Sequence, residues 1–115
     1  MVLEQQKCVA CEGVQDRLSD EKASELLQQI PAWEMVDNTI QRTFTVNDFV
    51  AAMRFANQIA AIAEQEDHHP DLHISYGKVR VELSTHTVGG LSRNDFILAA
   101  KINQLWDNKQ EAAAI

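Results

Sequence analysis

The sequence predicts an α+β domain. A four-stranded antiparallel sheet carries three helices on one face, in the order helix, strand, strand, helix, strand, strand, helix (α-β-β-α-β-β-α). Three observations carry this reading. Two regions show strand-like segments on either side of a turn signal. Three other regions place apolar residues at helical spacing. The prolines, Pro31 and Pro70, and the pair Gly89-Gly90 fall where a periodic pattern stops. A chain of 115 residues without internal repeats supports one domain, over 18–110, between a flexible leader at 1–17 and an Ala-rich tail at 111–115 that frays.

Taken in order, Ser19 is placed to cap the first helix, with Asp20 and Glu21 where the helix dipole favours acids. Ala23, Leu26, Leu27 and Ile30 then share one face, and Pro31 ends the pattern. The apolar run 33–36, the turn signal Asp37-Asn38 and the alternation of Ile40, Phe44 and Val46 with Gln41, Thr43 and Thr45 read as a hairpin. Arg42 falls on the apolar side, which implies a partly open face. A long helix follows from about 47 to 65, its stripe built on Phe49, Met53, Ala56, Ala60 and Ala63 and widened by Phe55, Ile59 and Ile62. Residues 72–76 and 78–86 alternate with period two around Gly77 and form the second hairpin. Ser92 and Asp95 form a capping-box variant for the last helix, with Leu91 and Phe96 as a hydrophobic staple. The uncovered sheet face must meet solvent or a partner.

Composition excludes several functions. Apolar residues make up 45% and charged residues 23%, as in ordinary globular proteins. The formal charge of −7, with no basic cluster, argues against direct nucleic-acid binding. No apolar run reaches the ~20 residues that span a membrane, and the N-terminus lacks the apolar stretch of a signal peptide. The expected compartment is the cytoplasm. Cys8 and Cys11 form a Cys-x-x-Cys pair, but no strand precedes it and no second pair completes a zinc site. Reduced thiols in a mobile leader are the expected reading.

The chemistry concentrates elsewhere. All four histidines lie between 68 and 86, and His68, His69 and His73 sit among Glu64, Glu66, Asp67 and Asp71 with no Lys or Arg in that stretch. Imidazoles exchange protons near neutral pH without large tuning, and nearby carboxylates orient them. His68 and His69 occupy a loop after a long helix, with His69 held extended by Pro70. An antiparallel second hairpin returns His86 to their neighbourhood, so three imidazoles are expected to converge. Spacing alone also admits a solvated acidic loop. A metal site fits less well, because adjacent His68 and His69 diverge and no helical His-x-x-x-His spacing is present.

Glu64-x-x-x-His68-His69-Pro70, Tyr76, His86 and Asp95, together with Leu83-Ser84-Thr85-His86 before Gly90-Leu91, resemble the signature of the pterin-4a-carbinolamine dehydratases. The resemblance spans roughly residues 18–106. It implies dehydration of a 4a-hydroxytetrahydropterin to the quinonoid dihydropterin, which recycles tetrahydropterin for aromatic amino acid hydroxylases such as phenylalanine hydroxylase. It further implies no metal and no bound cofactor, the pterin being substrate, and assembly as a homodimer or homotetramer. By the same resemblance His68, His69 and His86 surround the 4a carbon as acid and base, with His69 foremost. Glu64 and Asp67 orient imidazoles or meet the pterin's donor groups, and Ser84 and Thr85 face the ring edge. Asp95 is read as a cap. Leu72 and Val88 stand where animal members carry an aromatic residue and a cysteine, which bears on pterin side-chain preference. The competing readings are a pterin-binding or dimerisation scaffold without turnover, and a related enzyme for another pterin, such as one of molybdenum-cofactor metabolism.

Overall fold

A computed structural model describes residues 2–10 and 13–114. Helix α1 spans Asp20–Leu27, and the Ser19 side chain accepts from the Lys22 N–H, the cap that the sequence predicts. Strands β1 (Glu34–Val36) and β2 (Thr39–Thr45) form the first hairpin. Helix α2 spans Phe49–Glu66 and is capped by Asp48, whose side chain accepts from the Ala51 N–H. Strands β3 (Asp71–Ser75) and β4 (Lys78–Leu83) form the second hairpin around Gly77, at φ 78°. Helix α3 runs from Arg93 to Ala114.

The sheet has four strands in the order β1-β2-β4-β3, every neighbour antiparallel. The two hairpins therefore join through β2 and β4, with Phe44 opposite Val79 and Arg42 opposite Val81. Ile40, Phe44, Val79, Val81 and Leu83 point to one face and are buried, while Thr43, Thr45, Lys78 and Arg80 point away and are exposed. The buried face meets Phe55 and Ile59 of α2 and Phe96, Leu98 and Ile102 of α3 in one core. Phe44, Phe55 and Trp106 pack with centroids 4.9 and 5.1 Å apart. Arg42 stays on the core side by stacking on the Phe44 ring, 4.3 Å from its centroid, and donating to Asn103.

Three features depart from the pattern in the sequence. The core face of α2 is Ala52, Phe55, Ala56, Ile59 and Ala63, so Phe49, Met53 and Ala60 of the expected stripe are exposed beside it. The strand expected over 78–86 ends at Leu83, because its partners end there. The last pairs are Ile40 with Leu83 on one side and Asp71 with Glu82 on the other. Beyond them the chain keeps one isolated bridge, Thr85 to Gly90, and His86–Val88 coil into a 3₁₀ turn closed by Gly89 at φ 70°. The segment read as a leader carries a short 3₁₀ turn, Leu3–Gln5, packed against α3, with Leu3 only 1% exposed within the core.

Candidate active site

The site is built where α2 ends. Asp67 caps the helix in the left-handed conformation (φ 51°, ψ 42°), which Asp tolerates better than most residues. The reversal lets the His68 N–H reach the Ala63 carbonyl at 3.2 Å and brings His68 to the start of α3. The His68 side chain is 11% exposed, and its Nε2 lies 2.6 Å from Oδ1 of the fully buried Asp95.

Asp95 sits in the first turn of α3, where the helix end favours a carboxylate. Its Oδ2 accepts from the Ser92 backbone N–H at 2.9 Å and from Thr85 Oγ1 at 2.8 Å. Thr85 has spent its one hydroxyl proton on Asp95, so Ser92 Oγ donates to Thr85 across 2.8 Å. Only the acidic half of the expected capping box is therefore present. The serine half turns toward Thr85, and Asp95 gains a task that the sequence pattern does not reveal. Three separate segments, the loop after α2, the loop after β4 and the start of α3, meet on this carboxylate.

Beside this network lies a cavity of about 500 Å³, within the range of small-ligand sites. The end of α2 contributes Gln65, Glu66, Asp67 and His68, and the turn after β4 contributes Thr85 and Thr87. Asn94 of α3 and Cys8, Val9 and Ala10 of the N-terminal segment complete it. Two clefts along α3, of about 290 and 270 Å³, have no histidine in their walls.

Of the residues predicted from sequence, the cavity gathers His68, Asp67 and Thr85. His69 and Glu64 form a separate pair on the surface, Nε2 to Oε2 at 2.5 Å, with side chains 54% and 77% exposed. His86 is exposed on its 3₁₀ turn and Ser84 is half-buried, and neither lines this cavity, although Thr85 and Thr87 on both sides of His86 do. His73 lies on the outer sheet face, 3.0 Å from Glu82, to which Arg80 also donates. Among the described residues no group of three or more His, Cys, Asp or Glu is arranged to hold a metal ion.

Cys8 is held rather than loose. Its N–H donates to Glu66 Oε1 at 2.9 Å and its thiol approaches the Asn94 carbonyl at 3.6 Å. Burial, reinforced by the Glu66 charge, pushes the thiol up to about 12, so it stays protonated and reacts slowly at neutral pH. Cys11, the other half of the pair, lies outside the described residues.

The fold is that of a hydro-lyase family. The family model described as pterin 4 alpha carbinolamine dehydratase matches residues 16–105, and the chain belongs to that family. A protein of Nitrosomonas eutropha, provisionally named a pterin-4-alpha-carbinolamine dehydratase, is 46% identical over 104 residues, covering 90% of this chain and 92% of its own. A protein of Xanthomonas campestris with the same provisional name is 48% identical over 107 residues, covering 91% of each chain. A crystal structure from Brucella melitensis, described as a transcriptional coactivator/pterin dehydratase, superposes with a TM-score of 0.73 at 36% identity, covering 77% of this chain and 97% of that one. No helix among the described residues is long and apolar enough to cross a membrane.

Proposed function

We propose that this chain dehydrates a 4a-hydroxytetrahydropterin to the quinonoid dihydropterin by imidazole acid–base chemistry. The observation that carries the reading is the His68–Asp95 pair at 2.6 Å on the wall of the cavity. A carboxylate accepts only, so it holds the imidazole with its hydrogen on Nε2 and leaves proton exchange to Nδ1. The surface pair of His69 with Glu64 supports the same arrangement for a second imidazole. His86 is the third, on the turn between Thr85 and Thr87.

In the reaction the C4a–O bond breaks. One protonated imidazole delivers a proton to the departing hydroxyl, which leaves as water. One neutral imidazole takes the proton from N5, and the N5 electron pair forms the new C=N bond. Protons are conserved and the imidazoles exchange states, so a proton transfer through solvent resets the pair. Asp67 and Thr85 face the pterin's polar edge, with Glu64 and Ser84 outside the cavity lining in supporting places. The physiological setting is recycling of tetrahydropterin for aromatic amino acid hydroxylation in the cytoplasm, by an assembly of two or four copies.

The test is a coupled assay in which phenylalanine hydroxylase makes the 4a-hydroxypterin in situ and absorbance follows its loss. The wild-type protein accelerates the loss above the uncatalysed rate, and His69→Ala and His68→Ala each lower kcat by about 10²-fold, the size of one acid–base contribution. A fully active His69→Ala protein removes His69 from the mechanism. Folded wild-type protein without acceleration points instead to a scaffold or to a different pterin.

A further inference from the structure

We propose that the N-terminal segment over residues 3–10 is a strap that forms the apolar wall of the substrate cavity, with Val9 as the side chain that meets the face of the pterin ring. This deepens the functional reading above and rests on it.

The strap is fixed at several points. Leu3 is buried in the core, and Lys101 Nζ donates to the Glu4 carbonyl at 2.8 Å. Arg93 Nε donates to the Gln6 side chain at 2.8 Å. Asn94 then clamps the backbone of Val9 from both sides. Its Oδ1 accepts from the Val9 N–H at 3.0 Å, and its Nδ2 donates to the Val9 carbonyl at 2.5 Å. Glu66, its side chain 6% exposed, accepts from the Cys8 N–H. Of the three residues that hold the strap by its backbone, Glu66 and Asn94 are themselves cavity-lining residues.

The composition of the cavity explains what the strap is for. Cys8, Val9 and Ala10 all come from the strap, and every other lining residue is polar. A reduced pterin is a nearly planar heterocycle with hydrogen-bonding edges and apolar faces, so the polar walls suit its edges and only the strap suits a face. Val9 is the second indication. It is 70% exposed although its backbone is fully clamped, so its side chain is displayed at the cavity and not packed into the protein. An apolar side chain kept bare on an ordered wall suits a ligand that covers it.

The experiment measures binding of 7,8-dihydropterin by calorimetry and turnover by the coupled assay, for wild type, Val9→Ser and Val9→Asp. Because the clamp uses only backbone atoms of Val9, both variants keep the strap in place. Val9→Ser weakens binding and raises KM about tenfold, the scale of one apolar side chain, while kcat stays within about twofold. Val9→Asp weakens binding further. In a Cys11→Ser background, saturating dihydropterin slows alkylation of Cys8 about tenfold or more. Wild-type affinity in Val9→Ser, or pterin bound with Cys8 unprotected, overturns the proposal while leaving the cavity as a pterin site. A wild-type protein that binds no dihydropterin overturns the functional reading, and the strap's role with it.

Discussion

Asp95 gives its two oxygens different tasks. Oδ2 closes the start of α3 through Ser92 and Thr85, and Oδ1 holds His68. The first task is legible in Ser92-x-x-Asp95, since a cap is a local pattern. The second depends on which loop the fold brings to the helix end, 27 residues away in sequence, and no local pattern reports it. Asp95→Asn separates the two. An amide keeps one acceptor oxygen but presents N–H groups where the carboxylate accepts, so one of the donors now on Asp95 faces a donor. Where the amide nitrogen faces Ser92 and Thr85 the cap is lost, which lowers stability by about 1–3 kcal/mol, read as a shift of the urea midpoint. Where the amide nitrogen faces His68, the ring must accept at Nε2 and carry its hydrogen on Nδ1. The variant therefore loses about 10²-fold in kcat with a changed pH–rate profile even under conditions where it is fully folded. A purely structural Asp95 would lower the midpoint and leave kcat and the profile unchanged.

At the scale of elements, the strap carries its own pH signal. Cys8 is raised from an ordinary value of 9.0 to about 12, first by burial and then by Glu66. A thiol whose folded pKa lies above its unfolded one favours the docked strap fully below pH 9, and that contribution is lost as pH rises toward 12. Alkylation of Cys8 in a Cys11→Ser protein at pH 7.5 is therefore at least about tenfold slower in the folded than in the urea-unfolded chain, and the gap closes as the strap is released at high pH. Equal rates at pH 7.5 would mean an undocked strap. The helices and hairpins themselves were readable because each rests on its own periodicity, as with Ser19 before Ala23, Leu26 and Ile30, or Val79, Val81 and Leu83 across the sheet. The end of β4 was not. Thr85 continues the alternation and is buried, yet the paired strands run out at Leu83, and a strand's length is a property of its neighbours. Asp67 and Thr85 line the cavity, while His86, carried past the strand end onto a 3₁₀ turn, faces solvent beside it.

The whole molecule explains why the N-terminal segment is ordered at all. A domain of this size has a modest core, and α3 gains from further apolar cover. The sheet cannot supply it, because its free face is a polar surface of Thr43, Thr45, Lys78, Arg80 and the His73–Glu82 pair. The chain covers α3 with its own first residues. Leu3 enters the same core as Ile97, Ala100 and Ile102, and Trp33 and Arg42 meet Asn103 further along the helix. The sequence hid this because a single leucine has no periodicity to announce it. Leu3→Ala is the decisive substitution. A leucine in a flexible leader is dispensable, and its truncation would leave stability within a few tenths of a kcal/mol, as for surface positions. A leucine 1% exposed in the core leaves a cavity, and its truncation lowers unfolding free energy by about 2–4 kcal/mol in urea with an unchanged m-value. Because the same segment continues into Val9, the variant also binds dihydropterin more weakly than wild type under native conditions. Loss of stability and loss of affinity thus arise together from a side chain far along the strap from the cavity.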